Sequence, residues 1–419
     1  MTINFHKILR IFLVSLAITS SAFAIEDSIS TEEVKLELPP IQEQIQENIE
    51  LPNNKELENK LKTFGQKDVL PEYNWELVPT KEGTLASKLK KVYKLEINQT
   101  DTPVYMLEDV LTVRPQKGII KRAQLFGAYR GDMNLNFGQH FDEHFETTAI
   151  EAGIEGEFRN GWDFKVKTRL ARAPHLSFMQ NLVSDLYVAN SNFFHHRLLI
   201  GNSKIPIGIE GGQSSATLLL VNRSQLARTF GNSRKLGARI IGNHDLIDYD
   251  LGIYSSDTFF REFFPGVDFT GWVNFKPLGK THGKYGRLTL GTGASVGTHN
   301  NNYAVGGAYV GYEYKNLLLN WEGAIADGYN GQIGLSNKRA SGFYTTIAYK
   351  ITPKIQLVGR FDTFDPDRKI SHNWRQEYSA GINYYLKGQA LKFMINYVFC
   401  RNASSSDSHR LFFGTQILL

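Results

Sequence analysis

From Gly118 to Leu419 the chain alternates apolar and polar residues with a period of two, in short segments divided by Asn, Gly, Asp or Pro. Between Trp162 and Leu170, the residues Trp162, Phe164, Val166 and Leu170 fall on one side and Asp163, Lys165, Lys167 and Arg169 on the other. A helix cannot sort residues this way, whereas a strand between lipid and water does. The same pattern recurs from Tyr378 to Leu386, from Leu391 to Phe399 and from Leu411 to Ile417.

Sixteen strands are predicted: 119–129, 147–159, 162–172, 183–189, 195–204, 235–243, 248–255, 267–276, 286–296, 303–314, 316–325, 341–350, 353–362, 375–385, 390–400 and 409–418. An even number suits a single-chain bacterial barrel with both ends on the periplasmic side. In such a barrel, connections after even-numbered strands are short turns and those after odd-numbered strands are free to be long. The intervening segments sort this way: Asn160-Gly161, Tyr314-Lys315 and Ile351-Thr352 are tight, while 130–146, 173–182, 205–234, 326–340 and 363–374 are long. Residues 277–285 form a longer even turn and 297–302 a short odd loop. The predicted fold is all-β: a 16-stranded, antiparallel transmembrane β-barrel over 118–419, preceded by an N-terminal periplasmic extension.

That extension follows an export signal. Lys7 and Arg10 precede an apolar run from Ile11 to Ile18 and the tripeptide Ala22-Phe23-Ala24, the charged, apolar and cleavage-site order of a signal peptide over 1–24. The run is too short to cross a bilayer. Residues 25–117 read as two short polar helices, with Leu57, Leu61 and Phe64 on one stripe, or as a disordered arm, followed by a linker with one or two strands.

Composition fits without deciding. The chain is 42% hydrophobic with a mean hydropathy of -0.30, as expected when only every second strand residue meets lipid. Cys400 is the single cysteine, which excludes an intramolecular disulfide and a cysteine-based metal site. The formal charge of +5 is unevenly spread: Glu26 to Glu72 carries 12 acidic and 5 basic residues, leaving the remainder strongly basic. In an exported chain that surplus points to small anions rather than nucleic acid.

The longest connection, 205–234, holds Arg223, Arg228 and Arg234, and its flanks add Lys204, Lys235 and Arg239. It either extends outward or folds into the lumen and narrows it. Cations clustered in a low-dielectric constriction concentrate anions and set selectivity, and the arginine fork suits phosphate or carboxylate. Lys165, Lys167 and Arg169 share an inward face, Arg360 joins from another strand, and Glu151, Glu155 and Glu157 stand ready to pair with the lysines. The stretch from His140 to His144 bears metal-capable side chains in an expected loop, weaker than a metal motif. Gly291 to Gly297 lacks the lysine of a phosphate-cradling loop and reads as strand glycines admitting close neighbours. No clustered catalytic set and no nucleotide-binding loop is present, so neither an enzyme nor a cofactor is expected.

The stretch Leu199 to Gly242 resembles the phosphate-selective porin O and P family through Ile200, Gly201, Asn202, Ser203, Lys204, Pro206, Gly208 and Glu210, then Asn222 to Ser224, then Phe230, Arg234, Leu236 and Gly237. Tyr378 to Gly388 and Leu391 to Phe399 match as well. The resemblance implies a homotrimeric, 16-stranded porin in the outer membrane of a Gram-negative bacterium, with 205–234 as an inward-folded loop carrying constriction arginines. Asn222 stands where the family often has Glu, and the chain ends in Leu419 rather than an aromatic residue. The alternative reading is a non-conducting receptor or adhesin that uses its long outer loops.

Overall fold

The computed structural model describes residues 111–138, 141–170, 183–193, 196–231, 233–257, 263–281, 283–299, 301–328 and 338–419. The signal peptide, residues 25–110 and His140 lie outside them. A two-residue strand β1 (Thr112–Val113) precedes sixteen longer ones: β2 (Ile120–Phe137), β3 (Phe141–Phe158), β4 (Trp162–Arg169), β5 (Val183–Phe193), β6 (His196–Lys204), β7 (Arg234–Asn243), β8 (Ile247–Ser255) and β9 (Val267–Phe275). The second half is β10 (Arg287–Thr298), β11 (Asn302–Tyr314), β12 (Leu317–Asp327), β13 (Arg339–Thr352), β14 (Ile355–Asp365), β15 (Arg375–Lys387), β16 (Leu391–Asn402) and β17 (Ser408–Leu418).

Each long strand pairs antiparallel with its sequence neighbours, and β17 returns to pair with β2, closing a 16-stranded barrel. β1 adds a short pairing to β2, Thr112 opposite Gln124. Closure leaves no sheet edge in lipid, where an unpaired N–H or C=O would cost several kcal/mol, roughly. Tight turns close the β3–β4, β11–β12 and β13–β14 hairpins as expected, the second with Lys315 at a φ of 52°.

Burial follows the predicted alternation. On β16, Lys392, Met394, Asn396, Val398 and Cys400 are buried inside the barrel while Phe393, Ile395 and Tyr397 face out. Outward rings form a belt at the outer end of the barrel: Phe343–Phe361, Phe361–Tyr378, Tyr378–Phe399 and Phe399–His409 have centroids 5.8, 5.0, 6.0 and 4.9 Å apart. Aromatic girdles mark the membrane interface of such barrels. Ile395→Arg, on the outward face in mid-strand, is therefore expected to destabilise the barrel by about 2–4 kcal/mol. Refolding equilibria in lipid vesicles would measure it, and a cost near zero would mean that this face does not meet lipid.

One expected loop is absent. Residues 130–146 belong to a long hairpin in which β2 runs to Phe137 and β3 starts at Phe141, with Met133 opposite Phe145 and Asn134 opposite His144. Asp142, Glu143 and His144 thus lie exposed on a strand, not in a loop. Gly291 and Gly293 are strand residues, as expected. A Cβ on either would collide with the Tyr309 or Trp272 ring, which stack 5.7 Å apart inside the wall.

Candidate functional site: a loop fastened across the lumen

Residues 205–233 are studded with Ile205, Ile207, Ile209, Leu218, Leu220, Val221, Leu226 and Phe230, all buried. An outward loop would leave them in water, at about 1.5–3 kcal/mol per side chain. Instead the loop turns into the barrel. Ile205, Ile207 and Ile209 pack on Tyr254, Trp272 and Tyr309. Leu220 meets Leu318, Ala348 and Val358, and Val221 meets Met394, Val398, Cys400 and Phe412. Leu226 and Phe230 join Val305, Ala326, Ala340, Tyr344 and Phe364. These contacts run from β8 to β17, so the loop crosses the interior.

The loop's backbone also needs partners, because it contains only short turns: α1 (Ile209–Gly212), a 3-10 turn at Ser215–Thr217 and α2 (Gln225–Thr229). Ser224 caps α2 through Oγ, which accepts the Ala227 N–H at 3.2 Å. Wall carboxylates and amides accept the other N–H groups: Ile209 donates to Glu322 at 2.8 Å, Gln225 to Asp362 at 2.7 Å and Val221 to Asn396 at 2.6 Å. Wall donors reach the carbonyls, with Arg130 on Ser215 at 3.0 Å, Lys392 on Leu218 at 2.9 Å, Asn383 on Leu219 at 2.8 Å and Gln416 on Ala216 at 2.9 Å.

Gly208 makes the Glu322 contact possible. It adopts φ 64° and ψ -166°, a conformation essentially reserved for glycine, and a Cβ there would run into the Glu322 carboxylate. Gly208→Ala is expected to break the Ile209–Glu322 hydrogen bond and cost about 1–3 kcal/mol. Amide exchange at Ile209 tests this: protection as in the parent protein would contradict it.

The ten cations expected from the sequence fall into three groups. Arg228 and Arg360 fasten the loop: Arg228 donates to Glu377 at 2.8 Å, and Arg360 to the loop residue Glu210 at 3.2 Å. Lys235 and Arg239 belong to the wall, Lys235 paired with Asp268 and Arg239 with Asp250 at 3.4 Å.

The remaining six sit on β4, β6, β7 and the loop. Lys165 pairs with Glu155 at 2.8 Å, Lys167 with Glu151 at 3.1 Å and Asp185 at 3.2 Å, and Arg234 with Asp185 at 2.6 Å. Arg169 lies opposite Glu151 in the ladder but makes no ion pair among the described residues. Lys204 and Arg223 likewise have no carboxylate partner there. Both donate to the Gln213 carbonyl, Arg223 at 2.9 Å, and Arg223 also to that of Glu210. Burial pushes the Arg223 guanidinium down to about 10, against the pull of Glu210, and it stays charged at neutral pH.

Sequence reasoning missed the groups that hold the loop. Arg130 falls within the expected loop 130–146, Glu210 enters only through the family resemblance and without a role, and Glu322, Asp362, Asn396 and Glu377 are not singled out, although Glu322, Asp362 and Glu377 occupy the inward phase of their strands. A carboxylate at an inward position opposite a long, apolar loop is the signal that was available.

A closed sixteen-stranded barrel with an apolar outer face and a loop folded into its lumen is the architecture of an outer-membrane porin. Within that class, the chain belongs to the phosphate-selective porin O and P family, whose model matches residues 127–267 and 273–411. Similar solved structures include an anion-selective porin from Comamonas acidovorans (11% identity, TM-score 0.52, covering 71% of this chain and 99% of that one). The outer membrane channel DcaP of Acinetobacter baumannii aligns at 11% identity and TM-score 0.51, over 73% and 99% of the two chains. A loop-deleted OmpT of Vibrio cholerae aligns at 11% identity and TM-score 0.51, over 71% and 99%. At such identities the likeness is one of fold. No curated protein matches the chain in sequence.

Proposed function

We propose that this porin passively admits small anions, phosphate among them, through a constriction lined by Lys165, Lys167, Arg169, Lys204, Arg223 and Arg234. The observation that carries the reading is the charge of that wall: six cations stand against the three carboxylates Glu151, Glu155 and Asp185. Half of the positive charge is left over, in a lumen where screening is weak. Paired cations hold the cluster in place, and Arg223, buried against the Glu210 and Gln213 carbonyls, adds its charge from behind, while the half-buried Arg169 and Lys204 are the groups left for passing solute. A file of shallow wells of this kind conducts, because entry is favoured and no single well is deep.

Phosphate and chloride are distinguished by titrating phosphate against chloride current in a planar bilayer. Block that saturates with phosphate supports phosphate as a solute; chloride current untouched by phosphate restricts the pore to other small anions. The assembly proposed with this reading is a homotrimer embedded in outer-membrane lipid, for which conductance is expected to appear in groups of three equal steps.

A further inference from the structure

The periplasmic end of the barrel carries its charge unevenly. The four successive turns between β9 and β16 span 276–286, 314–317, 350–355 and 386–391, and no aspartate or glutamate falls in any of them. They expose Lys280, Lys284, Lys315, Lys354 and Lys387, none of which forms an ion pair among the described residues. The carboxylates beside these turns are taken, Glu313 by Arg287 and Asp248 by Lys276 at 2.7 Å.

Within this arc the longest periplasmic turn, 276–286, builds a recess on the outer wall. The Thr281 N–H donates to the Leu278 carbonyl at 2.9 Å and the Lys284 N–H to that of Thr281 at 3.1 Å. Tyr312 Oη donates to the Tyr285 carbonyl at 3.0 Å and pins the turn against the wall. Between it and the β11–β12 turn lies an open-sided space of about 710 Å³, lined by Lys284, Tyr314, Lys315, Leu317 and Tyr349, with Glu313 behind. Tyr314 stands opposite Leu317 in the ladder and Leu317 opposite Tyr349, all three on the outward phase. Lys284 and Lys315 lie over the Tyr285 and Tyr314 rings, Nζ 5.3 and 5.1 Å from the centroids. The space is large enough for a small organic group, and it has an apolar floor and a cationic rim.

The recess faces the periplasmic leaflet, at the level where tyrosine rings and lysine stems straddle lipid and water. Its two ammoniums have no carboxylate to bind, since Arg287 holds Glu313 and Asp245, beside Gly279, does not line the space. An isolated phosphate would leave the tyrosine and leucine floor uncovered. A headgroup with its own ammonium would set that charge against the lysine arc. We infer that the recess binds an anionic phospholipid of the periplasmic leaflet, its phosphodiester between Lys284 and Lys315 and the start of an acyl chain on Leu317 and Tyr349. The other lysines of the arc draw such lipids toward it. This site is on the outer face, apart from the pore lining, and stands whichever ion the pore prefers.

The test is native mass spectrometry of the whole protein in detergent, titrated with phosphatidylglycerol or with phosphatidylcholine of the same chains. One phosphatidylglycerol per chain should bind about tenfold more tightly than phosphatidylcholine. Lys284→Gln with Lys315→Gln should weaken it about twenty- to thirtyfold, because each lysine beside an anionic headgroup contributes about fivefold. Lys354→Gln with Lys387→Gln removes the same charge from the same rim outside the recess and should cost less than about threefold. All four residues are exposed on turns, so both double variants should fold as the parent does, which the heat-dependent gel mobility of the barrel checks. Equal losses from the two pairs would overturn the inference, since the rim would then act as a diffuse field and not as a site. Equal binding of the two lipids, or displacement of phosphatidylglycerol by inorganic phosphate, would overturn it as well.

Discussion

Replacing Arg360 by methionine releases the lumenal loop from the wall. Arg360 is 4% exposed, and its Nη1 holds both oxygens of Glu210 at 3.2 and 3.3 Å. Without the guanidinium, Glu210 keeps the Ser224 N–H at 2.5 Å but remains a buried charge without its ion-pair partner, which costs about 3–5 kcal/mol. Water lies just beyond the loop, so the strain is relieved when Glu210 swings out and takes α1 with it. The population of released loop should rise by about two to three orders of magnitude. Single-channel recordings would show it as larger, noisier conductance, and an externally added protease would cut within 205–233. The double variant Arg360→Met with Glu210→Met should recover most of the loss, since removing both partners of a buried pair is close to neutral. A single variant with parental conductance and protease resistance would show that the ion pair does not hold the loop.

The second large effect is an inversion of ion preference. Six cations against three carboxylates leave the β4–β6–β7 wall positive, and Lys204 and Arg169 can be changed without stranding a paired acid. Lys204→Glu with Arg169→Glu converts that balance to four cations against five carboxylates. At an effective dielectric near 20 and about 8–10 Å, each unit charge is worth about 2 kcal/mol. The ratio of chloride to potassium permeability should therefore fall at least tenfold, roughly, per reversal, and the double variant should favour cations. Lys280→Glu, on the periplasmic turn after β9 and outside the cluster, changes the net charge as much as one of these reversals and should leave the ratio nearly unchanged. Equal effects from both sets would mean that overall charge, not the cluster, sets selectivity.

Most of the barrel was legible because lipid and lumen impose opposite demands on successive residues. The strand predicted at 390–400 is found at Leu391–Asn402, and that predicted at 235–243 at Arg234–Asn243. The pattern failed where one of the demands lapses. In the β2–β3 hairpin, Asp142, Glu143, His144 and Glu146 are all exposed, so no face was selected to be apolar and the strand read as a loop. The partner strand did keep Met133, Leu135 and Phe137 alternating with Asp132, Asn134 and Asn136, a signal outweighed by its polar residues.

The site was legible as a set of charges and not as a set of pairs. Inward phase picked out Lys165, Lys167 and Arg169, and the adjacent Glu151 and Glu155 were recognised as rivals because neighbouring strands set their register. Arg360 with Glu210 and Arg228 with Glu377 were beyond reach, since those pairs span 150 and 149 residues and form only once the loop has turned inward. What sends the loop inward is its apolar content together with Glu322, Asp362 and Asn396 waiting on the wall. From the sequence alone, that direction is implied only by the family resemblance.

The most direct test of a positively lined, loop-narrowed pore is the zero-current potential of the refolded protein in a planar bilayer under a tenfold potassium chloride gradient. A potential of the sign set by chloride, lost when the gradient is removed, is the predicted result. A potential set by potassium in an otherwise conducting channel would contradict it.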